Sequence, residues 1–464
     1  MLALIGFALM IILMFVLIKE KMAPPLAFIL LPLIAAVLAG FGLEDIAGFI
    51  KTGMNTMLST AILFIFSISY FTMMSDAGLF DPIINFLIKR AGKNVATIFI
   101  AIVLTTFVAH LDGSGATTFL IVVPAFLPIC KRMGVRPQAL LGAMCGAYGV
   151  MNLVPWGGPT MRAASVAGVE AGDLYGFMIP GVVCLAIAAF GIAIVVSMIE
   201  KKNGAEAGTR VQELANANGE KKETKKSIYY FNLVLTLVML VLLFRDLPVP
   251  LYSIFMVAFA IGLIVNFPNA KQQNKKIKEY GTNAMVMTMT LFSVGIFMGV
   301  IKDSGMVEAM ANAIVAVLPS AIAPHMHWFM CLFSVPLLMI LGTDAFYYAL
   351  LPIIIGVVEP FGVAPETVAA AFLLTATLGT PVSPSVAATY VGLGLADVSI
   401  GEHIKYSLRL VWPASIAVLV MATVIGVIKF ENFIKSNKSF LPKQRLAGTY
   451  AGLCFFVAMY PEED

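Results

Sequence analysis

The sequence predicts an all-α polytopic membrane protein made of two repeats, each with a re-entrant hairpin and a broken transmembrane helix. Three observations lead there. Hydrophobic residues make up 60% of the 464 and charged residues only 12%, with a mean hydropathy of +0.94. A soluble domain holds about half apolar and about a quarter charged residues. Apolar runs of membrane length recur along the whole chain, and polar pieces rich in glycine and proline interrupt them at matching places in two halves.

The runs fall at 2–18, 24–41, 57–74, 95–110, 140–168 and 174–199, then at 228–244, 251–267, 285–301, 328–341, 368–395 and 406–428. They make about twelve candidate spans, each near the ~20 residues that cross a ~30 Å hydrocarbon layer. The first lacks a basic leading segment and a small-residue cleavage site, so it reads as a retained span. Residues 1–199 form an N-terminal transmembrane repeat and 228–429 a C-terminal one. The linker 200–227 holds Lys201, Lys202, Arg210, Lys221, Lys222, Lys225 and Lys226. Loops rich in Lys and Arg stay in the cytoplasm, which places it inside. The loop carrying Lys271, Lys275, Lys276 and Lys278 has the same sign two spans later. The tail, 430–464, holds an apolar stretch too short to span and an acidic end, and is assigned no role.

The net charge of +4 sits in loops and reports orientation, not a nucleic-acid partner. The five cysteines are scattered with no pair at metal-ligand spacing, and read as small buried residues.

An internal repeat is visible at a shift of about 228 residues. Gly53-Met54-Asn55 falls on Gly281-Thr282-Asn283, Asp76-Ala77-Gly78 near Asp303-Ser304-Gly305, and Pro124 on Pro352. Gly134-Val135-Arg136-Pro137 falls on Gly362-Val363-Ala364-Pro365, and the interruptions at Asn152 and Thr380 coincide. An even number of crossings per half would make the repeats parallel. Charge argues for inversion: Lys131, Arg132 and Arg136 put the first hairpin's exit inside, and no basic residue surrounds its counterpart at Glu359.

The first hairpin candidate runs from His110 to Cys130. Its polar residues Asp112, Ser114, Thr117 and Thr118 precede an apolar stretch that Pro124 and Pro128 interrupt. Gly113 and Gly115 let backbone amides approach a ligand, and exposed N–H groups at a helix start bind anions. The second half repeats this with Gly342, Thr343, Asp344 and Pro352. The first break spans Asn152 to Thr160, with Pro155, Gly157, Gly158 and Pro159. Proline costs ~3 kcal/mol inside a helix, so this stretch cannot continue one. A half-helix restarting at Pro159-Thr160 would aim its positive end at the break. Thr380, Pro381, Ser383, Pro384 and Ser385 form the second break. Unwound backbone survives in lipid only where protein or a wet cavity satisfies it, and paired breaks point to a transporter's substrate site. The plain alternatives are a capped loop for the hairpin and packing kinks for the breaks.

Arg162 is the only basic residue well inside an interrupted span. It is a candidate to meet a substrate carboxylate, with Asp112 or Asp344 as a structural partner instead. These two carboxylates lie nearest the breaks. Either is a candidate to carry a coupling proton or help hold a cation, with helix capping as the plain reading. His110, His325, His327 and His403 do not gather into a metal site by spacing, and no activated nucleophile marks an enzyme.

The motifs Ala109-His110-Leu111-Asp112-Gly113-Ser114-Gly115-Ala116-Thr117-Thr118, Asn152-Leu153-Val154-Pro155-Trp156-Gly157-Gly158-Pro159-Thr160 and Gly379-Thr380-Pro381-Val382-Ser383-Pro384 resemble the citrate–divalent-metal:proton symporters. These belong to the broad ion-transporter superfamily that also holds divalent-anion:sodium symporters. The resemblance covers most of the chain up to about Lys429. It implies two inverted repeats, a homodimer in the plasma membrane, and citrate entering as a complex with a divalent metal, driven by protons. The metal would arrive with the substrate, so no resident cofactor is expected. On this reading Ser114, Gly115, Thr117, Thr118, Asn152, Gly157, Gly158, Thr160, Arg162, Thr343, Thr380, Ser383 and Ser385 form the substrate site. Asp112 and Asp344 are the ion-coupling residues. Within the same superfamily, a sodium- or proton-coupled carrier of free di- or tricarboxylates is the alternative.

Overall fold

Backbone in hydrocarbon has to pair its own N–H and C=O groups, and a helix does so within one segment. The computed structural model is helical accordingly, with no strand among its described residues. The structure describes residues 1–428 apart from 20, 91–93, 206–225, 244–247, 318 and 320–321. Most of the linker at 200–227 and the whole tail at 430–464 therefore lie outside the described residues.

The first half comprises α1 (Leu2–Ile18), α2 (Pro24–Leu38), α3 (Leu43–Asp76), α4 (Asp81–Arg90), α5 (Val95–Ala109), α6 (Gly115–Arg132), α7 (Pro137–Met151), α8 (Gly158–Ala167) and α9 (Ala171–Lys202). The second comprises α10 (Lys226–Leu243), α11 (Leu251–Asn266), α12 (Ala270–Asp303), α13 (Met306–Val317), α14 (Met326–Leu332), α15 (Ser334–Asp344), α16 (Leu351–Val358), α17 (Pro365–Ala376), α18 (Ala387–Ala396) and α19 (Ile400–Val424). A π-turn, Ala345–Leu350, joins α15 to α16, and a 3₁₀ turn, Thr377–Val382, extends α17.

Among the described residues six helices are long and apolar enough to cross a membrane, and two bent pairs raise this to as many as eight. Four further apolar helices have only 10–17 residues, and the run expected at 140–168 is divided between α7 and α8. The run at 328–341 does not form one helix: it divides between α14 and α15. Pro124 and Pro128 do not interrupt the first hairpin either. Helix α6 passes through both, its freed carbonyls being tolerable where neighbours supply partners.

Long helices α3 and α12, 34 residues each, pack against one another. Their crossing is made by glycine. A Cβ on Gly53 would overlap the Gly295 carbonyl, and one on Gly299 would overlap the Phe49 carbonyl. Small residues are what let helix backbones approach this closely.

The innermost elements are the two that carry the breaks. Every residue of α7 from Ala139 to Met151 is buried, as is every residue from Thr367 to Val382. Around them the halves interlock. Helix α6 of the first half packs on α18 of the second, while the π-turn and α16 of the second pack on α8 of the first. Each hairpin thus leans on the helix that follows the other half's break.

Candidate functional site

Proline creates the first break by removing a donor. The Asn152 carbonyl would look to residues three and four ahead, and the nearer is Pro155, which has no N–H. Helix α7 ends there, and residues 152–157 turn before α8 begins at Gly158. The Asn152 carbonyl instead accepts from the Thr160 hydroxyl at 3.1 Å. Pro159 lies in the first turn of α8, where a missing N–H does no harm. It therefore starts the half-helix, whereas Pro155 lies in the turn itself.

The second break follows the same logic. The Pro381 carbonyl faces Pro384 three residues on, and the Ser385 N–H four residues on is drawn to the Ser383 hydroxyl at 3.2 Å. The chain bends by 44° between Pro365–Val382 and Ala387–Ala396. The segments leading into the two breaks touch: a Cβ on Gly149 would stand 3.1 Å from the Leu378 nitrogen.

The first hairpin is clamped to this junction. Gly113 takes φ +70°, which lets the Asp112 carboxylate accept from the Ser114 N–H at 2.8 Å. Ser114 caps α6, with the Thr117 hydroxyl 3.0 Å away. His110 then bridges hairpin and break, 2.6 Å from the Thr118 hydroxyl and 3.2 Å from Asn152 Oδ1, its ring against Tyr148. The Trp156 indole donates to the Leu111 carbonyl at 2.9 Å.

In the second hairpin, Gly342 at φ +75° and ψ 166° breaks the helical path. The turn delivers Asp344 to Arg162 of α8, Nε to Oδ1 at 2.8 Å, with the guanidinium 6.0 Å from the centre of the Tyr348 ring. Gly342 itself packs near Ser385, so hairpin and second break also meet. A small recess lies beside Arg162, lined by Phe64, Gly158, Met161, Thr290 and Tyr348.

The predicted residues therefore assemble as three neighbouring groups: Asp112, Ser114 and Thr117; Thr118, Asn152 and Thr160 around His110; and Arg162 with Asp344. Asp112 bonds within its own turn and not to Arg162, whereas Asp344 takes the structural partnership. Two polar atoms at the breaks, Asn152 Nδ2 and Thr380 Oγ1, are buried with no hydrogen-bond partner. Such atoms are rare in proteins, and a bound ligand or water is the usual resolution. These two side chains sit 228 positions apart, one at each break.

Sequence reasoning assigned no site role to His110, Tyr148, Tyr348 or His403, which the fold brings to the junction. Only His110 carried a signal, its place two residues before Asp112. Among the described residues no three His, Cys, Asp or Glu side chains gather as a metal site.

A family model described as citrate transporter matches residues 1–379. A citrate transporter of Bacillus subtilis (strain 168) is 33% identical over 93% of this chain and 100% of its own length. A Mg(2+)/citrate complex secondary transporter of the same organism is 32% identical over 93% and 100%. Among solved structures, the YdaH transporter of Alcanivorax borkumensis, described as having an unusual topology, aligns with a TM-score of 0.54. It covers 83% of this chain and 87% of its own at 16% identity, a likeness of fold.

Proposed function

The chain belongs to the citrate transporter family, a multi-pass membrane family of transporters and not of enzymes, and on that premise we propose that it imports citrate complexed with a divalent metal ion. Uptake is by proton symport and alternating access across the plasma membrane, in a homodimer of chains that each hold two inverted repeats. The hairpins and breaks form the substrate site.

The observation that carries this reading is the ion pair between Arg162 of the first half and Asp344 of the second. The pair is largely withdrawn from water, with side-chain exposures of 10% and 22%. A buried cation where the two halves meet suits an anionic substrate, but one arginine suits a substrate of small net charge. Citrate carries about three negative charges near neutrality, and a divalent ion leaves about one. The Born cost scales with charge squared, so the complex lowers it about ninefold. A Mg(2+)/citrate transporter among the relatives points the same way.

The pair also suggests how the proton enters. A substrate carboxylate reaching Arg162 displaces Asp344, which is then a carboxylate without its cation in a low-dielectric site. Taking up a proton removes that charge. Asp344 carboxylate, proton and substrate carboxylate become Asp344 carboxylic acid and substrate bound to Arg162, and charge is conserved. Asp112 is the second coupling candidate, held ready in the first hairpin.

Labelled citrate uptake into proteoliposomes tests this. Accumulation driven by an inward proton gradient and abolished by chelating Mg²⁺ supports the reading. Uptake that survives chelation and follows a sodium gradient replaces it with a carrier of free di- or tricarboxylates.

A further inference from the structure

The two breaks leave equivalent carbonyls without helical donors, but the chain resolves them differently. Asn152 and Pro381, Pro155 and Pro384, and Thr160 and Thr389 are each 229 residues apart. In the first half the threonine hydroxyl reaches its carbonyl at 3.1 Å. In the second, Thr389 stands off from the Pro381 carbonyl at 3.4 Å, near the limit of a hydrogen bond. The nearer donor there is His403 of α19, Nε2 to Pro381 O at 3.0 Å. The residue 229 positions earlier is Leu174, so the first half has no such imidazole.

The protonation pattern of His403 follows from its partners. A carbonyl only accepts, so Nε2 carries the hydrogen. Nδ1 of the neutral ring is then an acceptor, and the Ser407 hydroxyl donates to it at 3.1 Å. Both ring nitrogens are satisfied in a side chain 1% exposed, and Ser407 is fully buried. Ser407 thus fixes the ring, and the ring fixes the carbonyl that follows Thr380.

We propose that His403 is a positioning residue of the transport site: locked by Ser407, it holds the Pro381 carbonyl and so sets the path of the second break, on which Thr380, Ser383 and Ser385 are presented. The role uses a single N–H donor at the Nε2 position. It rests on the transporter reading only where uptake is the readout.

Four variants separate donor from filler. Glutamine places an amide N–H where Nε2 stands, asparagine places one where Nδ1 stands, and leucine places none. In Mg²⁺-dependent citrate uptake, His403→Gln is expected to keep KM within about twofold. His403→Asn and His403→Leu are expected to raise it about tenfold, the scale of a buried acceptor losing its main donor. Ser407→Ala is expected to raise it about threefold, and adding it to His403→Leu to change nothing further, because both act through one bond. The second readout needs no substrate. A cysteine placed at the exposed Ser385 is labelled by a membrane-permeant thiol reagent, and His403→Leu and His403→Asn should change the rate severalfold while His403→Gln does not.

Equal behaviour of Gln and Leu, full function of Asn, or wild-type KM and labelling in His403→Leu each overturns the proposal. A wild type that does not transport citrate counts against the transporter reading, and the labelling comparison still decides the role of His403.

Discussion

Replacing Asp344 by asparagine keeps the shape of the second hairpin's turn and removes the charge that occupies Arg162. In the structure the pair meets at 2.8 Å, with the guanidinium 10% and the carboxylate 22% exposed, so solvent screens it little. A hydrogen bond to a charged group contributes about 1.5–3 kcal/mol net. A substrate carboxylate competing for Arg162 has to overcome that amount, and about 1.4 kcal/mol corresponds to a factor of ten. Asp344→Asn should therefore lower the KM for Mg²⁺–citrate about tenfold to a hundredfold. Coupling should fail at the same time, since the displaced side chain no longer needs a proton. The assay is labelled citrate uptake in proteoliposomes at several external pH values. Wild-type KM should rise with pH, because each binding event consumes a proton, and the variant's KM should be flat. Counterflow exchange should survive in the variant while gradient-driven accumulation is lost. A variant with unchanged KM and intact proton-driven accumulation refutes the exchange of Asp344 for substrate.

Three other outcomes follow from the packing and the hydrogen bonds. Asn152→Leu removes the unpartnered amide and the contact to His110, and should raise KM at least tenfold with the protein still monodisperse in detergent; unchanged KM removes Asn152 from the site. Gly299→Val forces a side chain into the Phe49 carbonyl at the α3–α12 crossing, and overpacking of about 1–3 kcal/mol should appear as a lower melting temperature. Glu200→Ala strands Arg136, which contacts that fully buried carboxylate at 2.6 Å, and takes the Tyr406 hydroxyl's acceptor at 3.0 Å. Because Arg136 is 42% exposed and can turn to solvent, the expected loss is about 1–2 kcal/mol of thermal stability, well short of that for a sealed pair.

The sequence showed the helical class and the position of both breaks because their causes are local. Pro155 with Gly157, Gly158 and Pro159, and Gly379 with Pro381 and Pro384, concentrate helix breakers within a few residues. A repeat was read from hairpin glycines and break prolines that recur at a nearly constant offset. Partnerships were not legible. Arg162 had two carboxylates to choose from, and only packing of the second hairpin against α8 selects Asp344. His403 carries no motif and lies 22 residues from the carbonyl it serves, so its role exists only once α19 packs beside the second break. Helix continuity was misjudged where tertiary neighbours override local preference, as in α6, which runs through Pro124 and Pro128. The reverse error, a break where a single run was expected, arose between α14 and α15, at Phe333.

Equilibrium binding of labelled citrate to the purified protein, with and without Mg²⁺, compared between wild type and Arg162→Ala, bears most directly on the claim that a cation at the joined breaks receives a partly neutralised anion. The predicted result is wild-type binding that depends on Mg²⁺ and falls by at least a hundredfold in the variant. Citrate bound equally well by both proteins, or bound by the wild type regardless of metal, contradicts it.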